Sequence, residues 1–371
     1  MKIAIISDDG LPDARIEKLI NTLSKIVNEI HFIGDFRGWS GIELSVEPVI
    51  HSVKWDRKVN LLLPPYFQWI FRKVRKILES IKPDIVIACN LVSGYIVDKL
   101  GYPMILDYHE VWSLLLKYIE PPTFLRKLTY KRRCSKYPVL EEVLVKKYPT
   151  ITISDNARRY FMEKYGVSNI YVVKNYPSKL EVARIVFTEL DCRIKYFSYI
   201  GRDLVFFDGQ TYRDMRPVIK ALDNIWSKRK DFRVLLLGTR ESTREYIDAL
   251  GRRKHIELYD TLSKSHYGLL TYKPSPVQYL VNPNKPYMYA HSGTLPIITS
   301  SIEEIARDLG KYSIIVDADN YSDSLLETLE TILNMECEEI NGLRKKIYEY
   351  SRKKLIWEKQ EDTILDLLKK I

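Results

Sequence analysis

Short apolar runs that alternate with amphipathic stretches of helical spacing constrain this chain more than any other feature. Residues 3–7 form one such run, rich in isoleucine. After it, Ile16, Leu19, Ile20, Leu23, Ile26 and Val27 recur at the three-and-four spacing of one helix face. A second run at 30–33 precedes an irregular stretch to about Val53, and then Phe67, Ile70, Phe71, Val74, Ile77, Leu78 and Ile81 mark another amphipathic helix. Residues 84–88 and 104–107 read as strands, parted by a short helix over 94–100. These runs lack the alternation of a strand with one wet face. They predict strands buried on both faces, in a parallel sheet covered by helices.

Further strands at 151–154 and 171–173 close this first series, and the rhythm then lapses in a segment carrying Asn175, Pro177 and Ser178. It restarts with a strand at 196–200, a helix at 216–226, a strand at 233–237 ending at Gly238, a helix at 244–250 and a strand at 256–258. Strands at 268–271, 297–299 and 313–316 follow. With 371 residues the chain exceeds one comfortable hydrophobic core. The expected fold class is α/β, with two Rossmann-like domains in tandem: 1–175, a linker at 176–193, and 194–350, followed by a final helix within 351–371.

Composition narrows the function classes. The apolar fraction of 46% and charged fraction of 29% are those of a folded protein. The first residues turn acidic at Asp8 and Asp9 too soon for a signal peptide, and no apolar stretch reaches the ~20 residues of a membrane span. Cys89, Cys134, Cys192 and Cys337 stand far apart with no C-x-x-C pair, which suggests neither a zinc site nor a disulfide framework and makes a reducing cytoplasm the expected location. The formal charge of +10 implies an anionic partner. Nucleic acid is disfavoured because no helix-turn-helix, zinc-finger or RNA-recognition signature accompanies the charge. A Rossmann dehydrogenase is disfavoured because Gly10 stands alone after the first strand, without G-x-G-x-x-G.

Five landmarks in order carry a resemblance. Residues 105–110 read I-L-D-Y-H-E. T-I-S-D ending at Asp155 is followed by a helical pattern to Gly166. S-Y-I-G-R at 198–202 is followed by Ala221 and Leu222, and then by the strand ending at Gly238. Pro283, Asn284, Lys285, Tyr289, Gly293 and Pro296 come next, and Trp357 and Glu358 lie in a final amphipathic helix. This series resembles the family 4-like glycosyltransferases of the GT-B type. The resemblance implies two Rossmann-like domains facing across a cleft, an acceptor-side N-terminal domain, a C-terminal domain for a nucleotide-sugar donor, and a final helix crossing back. It further implies a hexosyltransferase-type enzyme, metal-independent and retaining, with the nucleotide sugar as substrate and no cofactor.

Breaking the bond between sugar and diphosphate loads negative charge on the leaving group, so fixed cations and N–H donors must be aimed there. Arg202, directly after Gly201 at a strand end, suits a forked phosphate contact. Lys285 stands at an apparent helix start with Asn284 before it and Pro286 after it, and Gly293 would allow close approach of backbone to ligand. His109 lies at a strand's C-terminal end, where open α/β sheets place ligands, and by the resemblance it contacts the transferred sugar. Asp107 and Glu110 flank it, to orient its ring or to meet acceptor hydroxyls. The catalytic candidates are thus His109 and Glu110. The donor-binding candidates are Gly201, Arg202, Asn284, Lys285, Met288 and Gly293, and no metal ligand is expected.

Two departures bear on catalysis. The family places an acid where this chain has Met288, and no Asp or Glu occurs between Thr261 and Ser301, so the carboxylate for the donor ribose is missing. Phe206, Phe207 and Asp208 stand where a second phosphate-binding lysine is usual, and Arg213 or Arg216 would have to substitute. The rival reading is therefore a catalytically inactive GT-B-like binding or scaffold protein. Two basic, aromatic stretches also stand out in the first domain. One carries Lys117, Arg126, Lys127, Lys131, Arg132, Arg133 and Lys136 among Phe124, Leu125, Leu128 and Tyr130. The other places Tyr66, Phe67, Trp69 and Phe71 beside Arg72, Lys73, Arg75 and Lys76. Both suit peripheral contact with an anionic membrane face, although an apolar face packed into the core explains the second stretch as well. The acceptor that the resemblance implies is a glycan, a lipid-linked molecule or a small molecule.

Overall fold

The computed structural model describes residues 1–55, 64–120, 124–201 and 209–370, and within 124–129 it describes only the side chain of Lys127. The chain divides into two compact units: Met1–Lys174 with the residues from Gln360 on, and Asn175–Lys359.

In the first unit β1 (Lys2–Leu11), α1 (Ala14–Leu23), β2 (Glu29–Phe36), β3 (Val49–Ser52), α2 (Pro64–Ile81), β4 (Ile85–Cys89) and α3 (Asn90–Leu100) follow one another. They continue into β5 (Met104–Tyr108), α4 (Trp112–Leu115), α5 (Phe124–Lys147), β6 (Thr150–Thr152), α6 (Asp155–Tyr165) and β7 (Ile170–Val172). The strands form one parallel sheet in the order β3-β2-β1-β4-β5-β6-β7. Ile3, Ala4, Ile5 and Ile6 of β1 and Val86, Ile87 and Ala88 of β4 have no exposed surface, as runs buried on both faces require. Asp13 caps α1 by accepting from the backbone N–H groups of Arg15 and Ile16, at 2.8 and 3.2 Å.

The second unit holds α7 (Lys179–Val182), β8 (Lys195–Ile200), α8 (Arg216–Lys228), β9 (Phe232–Leu237), β10 (Ile247–Gly251), α9 (His255–Leu262) and β11 (Tyr267–Leu270). It ends with α10 (Lys285–His291), β12 (Leu295–Thr299), α11 (Glu303–Leu309), β13 (Ile314–Val316), α12 (Tyr321–Asn334) and α13 (Cys337–Lys354). Its sheet is again parallel, in the order β10-β9-β8-β11-β12-β13. A last helix, α14 (Glu361–Lys369), returns to the first unit, where Thr22 donates to Glu361 Oε1 at 3.0 Å. Gln360 exchanges two hydrogen bonds with the backbone of Lys174, at 2.8 and 2.7 Å.

Four expectations are corrected. Residues 176–193 are not a free linker: Val182 and Ile185 lie in the apolar core of the second unit, and the fully buried Arg344 of α13 donates to the Thr188 carbonyl at 3.1 Å. The returning helix is shorter than 351–371, because residues 351–359 belong to the second unit. The helix expected at 244–250 and the strand at 256–258 exchange roles. Residues 247–251 pair with β9 as an edge strand, while Glu257 accepts from the Lys254 N–H at 3.0 Å and starts α9. Cys192 and Cys337 form a disulfide with their Cα atoms 5.5 Å apart, although 145 residues separate them. Separation along the chain had hidden a proximity that folding creates, and the cytoplasmic expectation loses the support it drew from unpaired cysteines.

Candidate functional site

Each sheet reverses its strand order at one place, between β1 and β4 in the first unit and between β8 and β11 in the second. The crevice beyond the carboxyl ends of such a pair is where open α/β sheets bind ligands.

At the first, β5 ends in Asp107 and Tyr108, and the next residue is His109. Asp107 is 2% exposed and takes the Arg15 guanidinium in a fork, with Nη2–Oδ1 at 2.6 Å and Nε–Oδ2 at 3.0 Å. Arg15 also donates to the Val173 carbonyl at 2.8 Å. The second partner of Asp107 is His109, whose Nε2 lies 3.2 Å from Oδ2. Burial alone would raise the Asp107 carboxyl, but the charges of Arg15 and His109 outweigh it and hold the group far below the usual carboxylate range. Burial likewise pulls the His109 imidazole down, but the Asp107 charge and hydrogen bond win and raise it. Because Nε2 is engaged, the nitrogen left to meet a ligand is Nδ1, and the raised pKa favours its N–H form as a donor. Glu110, half-buried, follows in the turn whose carbonyl accepts from the Trp112 N–H at 3.1 Å.

Sequence reasoning missed Asn90, directly after β4. Its side chain donates to Asp9 at 2.8 Å and accepts from the His109 backbone N–H and the Trp112 indole, both at 3.2 Å. The only sequence signal was an asparagine closing the I-V-I-A-C run, a residue type that tolerates unusual backbone. Arg15 had no signal at all. Cys89, Asp107 and His109 have potential ligand atoms within 4.8 Å of one another. Burial pushes the Cys89 thiol well up, keeping it protonated, and a guanidinium already meets Asp107, so this donor set suits an ion pair better than a metal ion.

At the second place, β8 ends at Ile200 and Gly201 follows. A Cβ at Gly201 would lie 2.3 Å from Tyr199 Cε1, so only glycine lets that ring occupy its seat. Tyr199 and Tyr272 are 6% and 2% exposed, and burial pushes the Tyr199 phenol well up, helped by Tyr272 and Tyr289. Lys285, the half-buried first residue of α10, sets its ammonium 3.3 Å from the Tyr272 hydroxyl and 4.9 Å from the Tyr199 ring centroid. No carboxylate pairs with Lys285 among the described residues. Asn284 is exposed and makes no side-chain cap bond to α10. Arg202 lies outside the described residues, as do Phe206, Phe207 and Asp208.

Two donor-binding candidates are explained by packing instead. Met288 is 2% exposed and sits among Val182, Ile185, Leu237, Leu258, Tyr259, Leu262 and Tyr289, so its thioether faces core rather than an open site. Gly293 takes φ 69° just after α10, and a Cβ there would approach Phe187 Cδ2 to 3.0 Å: a turn and a close aromatic contact call for it. Of the two basic stretches, α2 buries Ile70, Val74, Leu78 and Ile81 and leaves Trp69 45% exposed, with Arg72, Lys73, Arg75 and Lys76 exposed beside it. In the other stretch Lys127, Lys131 and Lys136 are exposed, while the side chains of Phe124, Leu125, Arg126 and Leu128 lie outside the described residues. No helix among the described residues is long and apolar enough to cross a membrane.

No family model matches the sequence, and no curated protein matches it. Solved structures do match over the whole chain. A sucrose-phosphate synthase from Thermosynechococcus elongatus aligns with TM-score 0.71 at 13% identity, covering 100% of this chain and 98% of that one. The trehalose-6-phosphate protein from E. coli bound with UDP-2-fluoro glucose aligns with TM-score 0.68 at 13% identity, covering 99% of each. WaaG, a glycosyltransferase involved in lipopolysaccharide biosynthesis, aligns with TM-score 0.68 at 12% identity, covering 98% and 99%. The chain therefore has the two-domain α/β fold of the GT-B glycosyltransferases.

Proposed function

We propose that this protein is a glycosyltransferase that takes its sugar from a nucleotide-sugar donor, without a metal ion and with retention at the transferred carbon, and passes it to an acceptor that is a glycan, a lipid-linked molecule or a small molecule. The observation that carries the reading is Lys285: a cation that no described carboxylate neutralises, seated on Tyr199 and Tyr272 beyond the strand-order reversal of the second sheet. A diphosphate would complete that charge. Arg202 and Asn284, by the family resemblance, would add contacts to the same phosphates. In the first unit, His109 would donate from Nδ1 to a hydroxyl of the sugar, steadied by Asp107, with Glu110 toward the acceptor. The exposed face of α2 fits contact with an anionic membrane surface, where Trp69 would enter the interface and the lysines and arginines would meet lipid phosphates.

The test is a thermal-shift panel followed by turnover. Nucleoside diphosphates and UDP-glucose are expected to raise the melting temperature while NAD does not, because a ligand that binds only the native state stabilises it by mass action. Lys285→Ala should weaken that binding by about 1–3 kcal/mol, the worth of a charge-assisted hydrogen bond. A panel without any shift at millimolar concentration would contradict the proposal. Binding with neither transfer nor donor hydrolysis would favour the scaffold reading.

A further inference from the structure

Asn90 combines two features that a residue of purely local importance does not need. Its φ is 69°, in the left-handed region, where among the described non-glycine residues only Lys82 joins it. It is 2% exposed, and its carboxamide holds three partners. Nδ2 reaches the Asp9 carboxylate, an acceptor, while Oδ1 receives two N–H donors, from the His109 backbone and from the Trp112 indole. Only this orientation of the amide satisfies all three. Asp9 belongs to β1, Asn90 follows β4, and His109 and Trp112 follow β5. One side chain thus ties three neighbouring strand ends at the place where the strand order reverses.

A backbone held in a sparsely populated conformation persists when its surroundings over-determine it. Were the conformation alone required, glycine would supply it with less strain. The carboxamide is what glycine lacks. We propose that Asn90 is a positioning residue: it fixes the backbone of His109 so that the imidazole meets Asp107 through Nε2 and presents Nδ1 at the crevice. The proposal rests on the reading of His109 given above. It does not make Asn90 catalytic, since its polar atoms are engaged within the protein. Around the imidazole stand Asp107, Arg15 and Asp13, with the protonated Cys89 thiol close to Asp107.

The experiment uses the full-length chain labelled with nitrogen-15, and follows hydrogen exchange at the His109 amide together with the two imidazole nitrogen shifts. In Asn90→Gly the protein is expected to fold with a lowered melting temperature, because glycine relieves the backbone but three hydrogen bonds are lost. The His109 amide should exchange roughly tenfold faster or more once its acceptor is gone. The imidazole shifts should then lose the signature of an imidazolium whose Nε2–H is held by Asp107. Wild-type exchange and nitrogen shifts in a folded Asn90→Gly variant would overturn the proposal. Should that variant fail to fold, Asp9→Ala, at a half-buried position, frees the amide to turn and is expected to give the same changes in smaller degree; its failure to do so would likewise overturn it. The double variant Asn90→Asp with Asp9→Asn, which restores donor and acceptor in exchanged places, should return the His109 amide to slow exchange. Changes at His109 in a protein that binds neither UDP nor UDP-glucose would support the positioning role and count against the donor reading alone.

Discussion

Burial decides what a side chain at position 288 can do. Met288 is 2% exposed within an apolar and aromatic cluster of the second unit's core, so an acid placed there would lose water without gaining a partner. Met288→Glu is therefore expected to destabilise the protein by on the order of 3–5 kcal/mol, seen as a lower midpoint in urea, with no gain in nucleotide affinity by calorimetry. Unchanged stability with tighter nucleotide binding would show instead that the position faces a ligand. The same logic separates the readable from the unreadable residues. His109 could be picked out because it directly follows an apolar strand, and strand ends are where ligands sit. Asn90 and Arg15 could not, since what makes them matter is contact across 19 and 92 residues of chain that only the sheet brings about.

At the scale of elements, legibility followed burial on both faces. The runs of β1, β4 and β5 announce themselves because each holds three or more consecutive apolar residues, Ile3–Ile6, Ile85–Cys89 and Met104–Leu106. β3, an edge strand whose residues are exposed or half-buried, has no such run and so gives no strand signal. The β10 segment has the composition of a helix, yet it lies on the sheet edge, tied to β9 by the Arg233–Asp248 ion pair, so pairing overrode propensity. In α5 the reverse holds, for Pro138 lies inside a helix that its ring should interrupt. For α2, the burial pattern separates a core stripe from an outer face on which the Lys73 ammonium stands 4.0 Å above the Trp69 ring. That face is expected to bind vesicles containing phosphatidylserine more than phosphatidylcholine vesicles, with salt reversing the difference. Trp69→Ala combined with Lys73→Glu should reduce the bound fraction roughly tenfold, at about 1 kcal/mol for each basic residue near the surface plus the lost aromatic burial. Equal sedimentation with both lipids would remove the membrane contact.

For the molecule as a whole, the second unit is an insertion in the first: the chain leaves at Lys174 and returns at Gln360. The Cys192–Cys337 bond closes most of that insertion into a loop spanning 145 residues. In the chain-entropy account, a loop of that length withholds up to about 5 kcal/mol of freedom from the unfolded state. Reduction with dithiothreitol, or Cys192→Ser, should lower the melting temperature of the second unit by roughly 10 °C. An unchanged midpoint in reductant would show that the pair contributes nothing to stability. The return of the chain through Gln360 and Glu361 has a consequence for biosynthesis. On the ribosome the inserted unit has its complete sequence before α14 is made, while the first unit, begun earliest, waits for Gln360 and α14 to supply the partners of Lys174 and Thr22. The domain that is synthesised first is thus completed last, and a nascent chain arrested before residue 360 would carry one finished domain and one open one.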